Sequence, residues 1–318
     1  MQPPTFKDVI LANNRIRPYL LKTPLHTYPT LNQYLGFNVY VKHENHQPTG
    51  AFKIRGGINL ISQLSPEEKS KGVITASTGN HGQSIALASK LFGVKATVCV
   101  QKGANPTKVA GIKSYGAQIV EEGKDFDEAR VNAEKLAKKY GYRYIHSGNE
   151  PLLIAGVATL ALEMFEDKPN LDFVFAPVGA GTNCAGVGLV YKTLSPETKV
   201  IAVQAEDAPS VYLSWKSGEL ESTETAKTMA DGLATRQAFE LPLSMLRELI
   251  DDFVLVSDDE IMNAIKLYVK EAHTVAEGAG AAPLAAAVKM KDEMKGKNVG
   301  LVLSGGNLTY DNLLKCLT

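Results

Sequence analysis

The stretch "GVITASTGNHGQSIALASKLFG", residues 72–93, contains the parts of one strand-loop-helix unit. Its start, "GVITAS", is short, apolar and β-branched, which predicts a strand. Its end, "HGQSIALASKLFG", predicts an alanine-rich helix that stops at Gly93. A strand followed by a polar loop and a helix is typical of a parallel sheet with crossover helices. This stretch therefore favours an α/β fold.

The same alternation continues along the chain. The pattern predicts strands at residues 37–44, 72–77, 95–101, 117–123, 142–147, 172–179, 199–206, 252–257 and 298–305. Amphipathic or alanine-rich segments such as 51–64, 105–116, 127–141, 152–167 and 257–272 predict helices between them. Residues 209–230 have the weakest periodicity, and we expect them to be irregular or mobile.

Composition narrows the class of partner. Lysine plus arginine and aspartate plus glutamate both number 34, so the chain lacks the positive charge of a protein that binds nucleic acid or an anionic membrane. No window is apolar enough to cross a bilayer, and the N-terminus lacks a signal peptide pattern. The three cysteines, Cys99, Cys184 and Cys316, fit neither a disulfide framework nor a zinc pair. These features predict a cytoplasmic protein with a small-molecule partner.

Ligands of open parallel sheets bind beyond the carboxyl ends of the strands, where two glycine-containing loops lie. The first, residues 76–84 ("ASTGNHGQS"), is called here the asparagine loop. Its free backbone N–H groups at a helix start would attract a carboxylate or phosphate, although an ordinary helix N-cap explains it equally well. The second, residues 177–183 ("PVGAGTN"), is called the glycine loop, and its glycines permit close approach to a phosphate.

The glycine loop also admits a different class of protein. Glu206 ends the next strand, where a dinucleotide-binding protein carries the acid that binds ribose. An NAD-dependent dehydrogenase is therefore one alternative, and simple close packing of helix on strand is another. Two further loops also lie near strand ends. "SGGN" (304–307) predicts either a simple turn or a hydroxyl and backbone donors that face a ligand, and "EGAGAAPLAAA" (277–287) offers a carboxylate before a helix of small residues, for which close packing is the simplest interpretation.

Lys53 follows a proline-glycine turn and precedes a glycine pair in "QPTGAFKIRGG". Most lysines beside apolar residues extend their charge to water. A lysine held in a poorly hydrated pocket would have a lowered pKa and an amine available as nucleophile or base. A reactive lysine, a phosphate loop and a carboxylate loop together are the components of a pyridoxal phosphate enzyme that acts on an amino acid.

Six motifs resemble one family. "QPTGAFKIRGG", "STGNHGQSIALAS", "YGAQIV", "MADGLA", "EGAGAAPLAA" and "LSGGN" occur in the order and spacing of fold type II pyridoxal phosphate enzymes, and the sequence resembles their threonine dehydratase and serine racemase branch. The resemblance covers nearly the whole chain. It implies a tryptophan synthase β-like fold with two mostly parallel sheets: a large cofactor-binding domain (1–66 plus 150–318) and a small substrate-loop domain (67–149).

The resemblance also implies roles for individual residues. Lys53 matches the family's Schiff-base lysine. Asn80 matches the residue that hydrogen-bonds the cofactor's phenolic oxygen, and Ser304 matches the partner of its pyridine nitrogen. The implied substrate-binding residues are Ser77, Thr78, Gly79, Asn80 and His81. The implied cofactor contacts further include Phe52, Gly179, Ala180, Gly181, Thr182 and Asn183, although the family's phosphate loop is usually a run of glycines rather than "GAGTN".

The implied reaction is dehydration and deamination of L-threonine or L-serine to a 2-oxo acid and ammonia. Racemases of this branch carry a serine where Thr78 stands, whereas many dehydratases carry alanine, so a serine or aspartate racemase is the alternative. Some members bind a divalent cation near an acid matching Glu206, but the usual second acid is missing here, and no metal is predicted. The family analogy predicts a homodimer or homotetramer. An amino-acid-binding module without catalysis would leave Lys53 unexplained.

Overall fold

A computed structural model describes residues 1–124 and 126–318. The helices predicted at 51–64, 105–116, 127–141, 152–167 and 257–272 are present with slightly different ends, whereas Phe6–Ile16, Pro29–Leu35, Pro66–Lys71, Glu240–Leu249 and Tyr310–Leu317 are helices that the pattern did not predict. The helices are α1 (Phe6–Ile16), α2 (Pro29–Leu35), α3 (Lys53–Ile61), α4 (Pro66–Lys71), α5 (Asn80–Leu91), α6 (Pro106–Ser114), α7 (Phe126–Tyr140), α8 (Pro151–Asp167), α9 (Thr182–Leu194), α10 (Ser210–Ser217), α11 (Glu240–Leu249), α12 (Asp258–Ala272), α13 (Gly278–Lys289) and α14 (Tyr310–Leu317). Every helix in this part of the chain is too short or too polar to span a bilayer.

The strands form two sheets, which confirms the predicted α/β class. The strands are β1 (Leu25–His26), β2 (Asn38–His43), β3 (Val73–Ala76), β4 (Ala96–Val100), β5 (Gln118–Glu121), β6 (Arg143–Tyr144), β7 (Phe173–Pro177), β8 (Lys199–Ala205), β9 (Asp252–Val256) and β10 (Asn298–Leu303). Within the described residues one sheet has the order β1-β2-β10-β7-β8-β9 and the other β5-β4-β3-β6. All pairs are parallel except β1 with β2.

The larger sheet is covered on both faces. Phe173 and Phe175 of β7 belong to one buried cluster with α12 and α13, whereas Val174 and Ala176 belong to a second with α8 and α9. Successive residues of a strand point to opposite faces, so both faces of β7 are buried. Strands of this kind have continuous apolar sequences, and the apolar run in "DFVFAP" is what predicts a strand at this position. Parallel strands also bring their carboxyl ends to one edge.

Helix α3 joins the two sheets. Its residues Ile54 and Ile58 pack into the cluster of the smaller sheet, with Ile85 of α5 and Val98 of β4. The glycine pair of the "KIRGG" motif permits this packing. A Cβ at position 56 would lie 2.9 Å from the backbone oxygen of Leu153, and one at position 57 only 2.4 Å from the Oγ of Ser84.

Two segments differ from the predictions. The strand predicted at 142–147 is limited to Arg143–Tyr144, because the chain turns at His146, whose Nδ1 accepts the backbone N–H groups of Gly148 and Asn149 at 3.0 Å. The segment expected to be irregular, 209–230, begins with α10. That helix is ordered by packing of Tyr212 and Trp215 on Phe253 and by the left-handed Gly218 at its end.

A buried ion network holds α3 to its neighbours. Arg55 donates from Nε and Nη2 to Glu44 at 2.8 Å, and from Nη1 and Nη2 to Glu163 of α8 at 2.8 and 2.7 Å. Lys42 of β2 donates to Glu163 at 2.5 Å and to the backbone oxygen of Thr23 at 2.8 Å. Burial opposes the charge on Glu44, but the Arg55 guanidinium outweighs it and holds the pKa of that carboxyl below its ordinary value.

Removing the central cation of this network should destabilise the fold strongly. We expect Arg55→Leu to lower the free energy of unfolding by roughly 3–5 kcal/mol, because two carboxylates would stay buried with only Lys42 to balance them. The measurement is urea unfolding followed by circular dichroism. The control is Lys71→Ala, which removes an exposed pair with Glu67 and should cost less than about 1 kcal/mol. A loss of equal size in both variants would contradict this account.

Candidate active site

Lys53 lies where the ends of β10 and β7 meet α3. The backbone N–H of Phe52 donates to the carbonyl oxygen of Ser304 at 3.0 Å, which ties the lysine turn to the end of β10. The Nζ of Lys53 donates to the Oγ1 of Thr182 at 3.0 Å, at the start of α9. Burial lowers the pKa of Lys53 to about 8. The structure therefore places the amine at the glycine loop, in a position that disfavours its charged form.

The glycine loop leaves a cradle at the N-terminus of α9. A Cβ at Gly179 would lie 2.0 Å from the carbonyl oxygen of Gly232, and Gly181 has a left-handed φ of 87°. Ala180 lies half-buried between them. The side-chain amide of Asn183 is buried, and neither its Nδ2 nor its Oδ1 has a hydrogen-bond partner within the described residues. Free helix N–H groups beside an unpaired buried amide fit a phosphate group.

Asn80 lies at the N-terminus of α5 and contacts two residues of the larger sheet's loops. Its Nδ2 donates to the Oε1 of Glu277 at 2.7 Å, and its Oδ1 accepts from the Nδ2 of Asn307 at 2.7 Å. Burial raises the pKa of Glu277 to about 7, against the opposing effect of the Asn80 hydrogen bond. A carboxyl group whose neutral form is favoured by burial thus borders the site.

The asparagine loop has free backbone donors at the helix start. Gly79 is the N-cap of α5, and its own N–H donates to the Oγ of Ser77 at 3.2 Å. Thr78 is half-buried. A Cβ at Gly79 would meet nothing within 4 Å, so the space beside the loop is open. This arrangement can receive a carboxylate at the N-terminus of α5.

The imidazole of His81 points away from that space. Its Nε2 lies 3.0 Å from the Oγ1 of Thr75, and that hydroxyl donates to the carbonyl oxygen of Ile145, so the ring donates. Burial, reinforced by the charge of Lys53, lowers the pKa of His81 to about 3, and the ring is neutral. His81 therefore anchors α5 to the smaller sheet, and its predicted contact with substrate stays a prediction.

Two further predicted residues have different surroundings. Ser304 is 2% exposed at the end of β10, beside the lysine turn. Glu206 follows β8 and its side chain is exposed. Its backbone N–H donates to the carbonyl oxygen of Val256. In the part of the chain that the structure describes, no three His, Cys, Asp or Glu side chains are grouped as metal ligands. The structure thus brings Lys53, Thr182 and Ser304 together and leaves Glu206 at the surface.

Polar contacts cross between the loops of the two sheets above this site. Lys108 of α6 pairs with Asp231, and the hydroxyl of Tyr115 donates to the carbonyl oxygen of Pro48 at 2.9 Å. A small cavity is lined by this ion pair and by Glu277. These contacts link the loops of the two sheets beside the site.

Sequence reasoning did not assign Glu277, Asn307 or Lys108 to the site. Glu277 and Asn307 lie inside quoted motifs, which offer a carboxylate and a set of ligand-facing donors, but no specific role is predicted for either side chain. Their positions could have indicated a role in the site. Asn307 follows β10 and Glu277 precedes α13, so both lie in loops at the edge of the sheet where ligands bind. Lys108 carried no local signal, because its partner is 123 residues away.

The site combines the buried amine of Lys53, the phosphate-binding geometry of the glycine loop and the free N–H groups at the start of α5. Enzymes that hold a phosphorylated aldehyde cofactor beside a carboxylate substrate need these three features. The chain belongs to the pyridoxal-phosphate dependent enzyme family, whose model matches residues 16–305. Its cofactor is pyridoxal phosphate. This membership gives no support to the NAD-dependent dehydrogenase alternative.

Three comparisons place the chain within the family. It is 40% identical over 304 residues to L-threonine ammonia-lyase of Thermotoga maritima, covering 96% of this chain and 76% of that protein. It is 39% identical over 305 residues to L-threo-3-hydroxyaspartate ammonia-lyase of Saccharomyces cerevisiae, covering 96% and 94%. The structure of maize serine racemase matches with a TM-score of 0.94 at 30% identity, over 99% of this chain and 97% of that one. The predicted fold type and branch are confirmed.

The raised pKa of Glu277 predicts a specific pH dependence of stability. Its folded-state pKa of about 7 exceeds the ordinary value of 4.5, so the folded cofactor-free protein binds more protons than the unfolded chain between these values. Stability therefore falls as pH rises from about 5 to 7. The Glu277→Gln side chain stays neutral and keeps an acceptor for Asn80. The difference between its urea midpoint and that of wild type should therefore be larger at pH 8 than at pH 5, in favour of the variant.

The control for this experiment is Glu206→Gln, which changes an exposed carboxylate. Its side chain is exposed, so this variant provides the reference against which the response of Glu277→Gln is compared. If the two variants respond to pH alike, Glu277 is not the group responsible.

Proposed function

We propose that the protein is an ammonia-lyase that converts L-threonine or L-serine to a 2-oxo acid and ammonia with bound pyridoxal phosphate. The observation that carries the proposal is the contact of the Lys53 amine with Thr182 at the mouth of the glycine loop. The two ammonia-lyases to which the chain is 40% and 39% identical support the reaction type.

The cofactor would be held at its charged and polar ends by residues already in place. Asn183 and the loop from Gly179 to Thr182 would bind the phosphate, because the unpaired amide and the helix N-terminus both lack a partner without it. Phe52 lies beside the lysine, Asn80 would donate to the phenolic oxygen, and Ser304 would face the pyridine nitrogen. These assignments follow the family resemblance.

Bound pyridoxal phosphate supplies an aldehyde that condenses with amines and a ring that accepts the electrons of a carbanion. The residues of the chain do the rest. Lys53, with a pKa of about 8, exchanges readily between a neutral amine and a cation near neutral pH, so its Nζ can accept the α-proton of the substrate. The N–H groups of Ser77 and Gly79 already donate to the carbonyl oxygen of Cys99 and to the Oγ of Ser77, so the N–H of Thr78 and those of the first turn of α5 would hold the substrate carboxylate. Ser304 is a neutral partner for the pyridine nitrogen, which favours elimination over transamination.

Racemisation of serine or aspartate is the second candidate function. Thr78 favours it, because a half-buried hydroxyl in the asparagine loop could return a proton to the opposite face of the substrate. The likeness to maize serine racemase supports the same reaction. Both reactions share every other residue discussed above.

We further propose a division into a large domain of residues 1–66 plus 150–318 and a small domain of residues 67–149. The membership of the sheets supports it, since β3 to β6 all lie between residues 73 and 144. We infer a cytoplasmic location, supported by three cysteines that are buried and free of disulfide bonds in the described structure. A homodimer or homotetramer is proposed by family analogy.

The lyase proposal predicts the absorption spectrum of the protein with bound pyridoxal phosphate and a loss of activity when Lys53 is replaced. Protein saturated with pyridoxal phosphate should show a visible absorption band that borohydride removes, with the added mass on Lys53. It should form 2-oxo acid and ammonia in equal amounts from L-threonine or L-serine. Lys53→Ala should lower kcat at least about 1000-fold, since it loses both the covalent link and the base. Lys90→Ala, which changes an exposed lysine of α5, is the control. An active Lys53→Ala protein would refute the proposal.

Thr78→Ala should separate the two reactions. We expect racemisation to fall at least about 100-fold, the usual contribution of one proton-transfer group, while 2-oxo acid formation changes less than about threefold. Chiral analysis of the amino acid and assay of the 2-oxo acid measure the two rates. Thr78→Ser keeps the hydroxyl and is the matched control. Racemisation that survives in Thr78→Ala would exclude this residue as the proton donor.

A further inference from the structure

The amide of Asn80 is held between two side chains from the other sheet's loops. Asn307 follows β10, and Glu277 precedes α13. The Nδ2 of Asn307 lies 2.7 Å from the Oδ1 of Asn80, and the Oε1 of Glu277 lies 2.7 Å from its Nδ2. An amide has one accepting end and one donating end, so the identity of these neighbours decides which end faces which.

The orientation of Asn307 is fixed by the backbone. Its Nδ2 also donates to the carbonyl oxygen of Thr49 at 2.8 Å. A carbonyl oxygen only accepts, so the nitrogen of Asn307 must face Thr49, and both N–H groups are then used, one on Thr49 and one on Asn80. The Oδ1 of Asn307 lies over Gly50, where a Cβ would come within 2.5 Å, and Gly50 has a left-handed φ of 68°. The proline-glycine turn before Lys53 thus provides both the acceptor and the space for Asn307.

The orientation of Asn80 follows from that of Asn307. If the Asn80 amide were reversed, its Nδ2 would face the Nδ2 of Asn307, and its Oδ1 would face the Oε1 of Glu277. The observed orientation avoids the donor-donor contact with Asn307 and makes two hydrogen bonds. It also leaves the second N–H of Asn80 without an acceptor among the residues that the structure describes.

We propose that Asn307 is a positioning residue, which fixes the Asn80 amide so that an N–H, and not its oxygen, faces the bound cofactor. The proposal rests on the proposed function, in which Asn80 contacts the phenolic oxygen of pyridoxal phosphate. A donor at that oxygen stabilises its deprotonated form and lowers its pKa, whereas an amide oxygen there would repel it. Asn307 acts only through Asn80 and does not itself touch cofactor or substrate.

The experiment compares two isosteric variants of the holoenzyme. Asn307→Asp keeps the size of the side chain but replaces the donating nitrogen with an accepting oxygen. The Asn80 amide should then turn to donate to the new carboxylate, which brings its oxygen toward the cofactor. The control is Asn312→Asp, which adds the same charge to the lining of the same cavity and removes no donor to Asn80.

The readouts are the pH titration of the cofactor's visible absorption band and the dissociation constant for pyridoxal phosphate. In Asn307→Asp the titration midpoint should rise by about one pH unit, and pyridoxal phosphate should bind roughly tenfold more weakly, which is the effect of one lost hydrogen bond to a charged group. Asn312→Asp should stay within about 0.3 unit and twofold of wild type. A purely structural role for Asn307 would weaken binding without moving the midpoint.

A second variant guards against misfolding of Asn307→Asp. Asn307→Ala removes the donor without adding charge and leaves the space above Gly50 empty. It should raise the midpoint in the same direction by a smaller amount, because the Asn80 amide is then free to adopt either orientation. Circular dichroism identifies a variant that is not folded.

The outcomes separate this inference from the proposed function. Wild type and Asn312→Asp proteins that bind no pyridoxal phosphate would overturn both. A wild type protein that forms the band, together with folded Asn307 variants that titrate as wild type does, would overturn the positioning role alone. An upward shift in both Asn307 variants, absent from Asn312→Asp, would support it.

Discussion

The buried ion network around Arg55 is the constraint on which the position of the reactive lysine depends. Lys53 and Arg55 are two residues apart on α3, so their side chains leave the helix about 200° apart. Arg55 enters the space between β2 and α8, and its five donors are met by Glu44, Glu163 and hydroxyl groups. The guanidinium fork permits few orientations, so satisfying it also fixes the rotation of α3. Lys53 is thereby directed to the opposite side, toward the glycine loop.

A helix fixed in this way can carry contacts to both sheets. The glycine pair after Arg55 brings α3 against α5 and α8, and the Oγ of Ser84 donates to the backbone oxygen of Lys53 at 2.6 Å. The turn before Lys53 is tied to the end of β10 by Phe52. Since parallel strands of each sheet end at one edge, the loops that follow them converge on this helix. The lysine, the two anion loops and Asn80 are thus assembled by three contacts of α3 and its turn.

Much of this could be predicted from the sequence, and the limits are physical. Strands buried on both faces, such as β7, leave short, continuous apolar runs that end at glycine or proline. The glycine loop and the asparagine loop were recognisable because a helix start needs free N–H groups nearby. The contacts of Arg55 with Glu163, of Asn307 with Asn80 and of Lys108 with Asp231 were not, since these partners lie far along the chain. The sequence places His81 in the asparagine loop but does not give the direction of its side chain, which lies against Thr75 in the structure.

Burial moves the titratable groups of the site toward their neutral forms. It lowers the pKa of His81 to about 3 and of Lys53 to about 8, and it raises that of Glu277 to about 7. Each shift has the same cause, because a poorly hydrated site penalises either sign of charge. The strongest charges in such a site are then those that ligands bring, a phosphate and a carboxylate. These would be met by backbone dipoles at the starts of α9 and α5, which need no counter-ion and leave the amine of Lys53 free for chemistry.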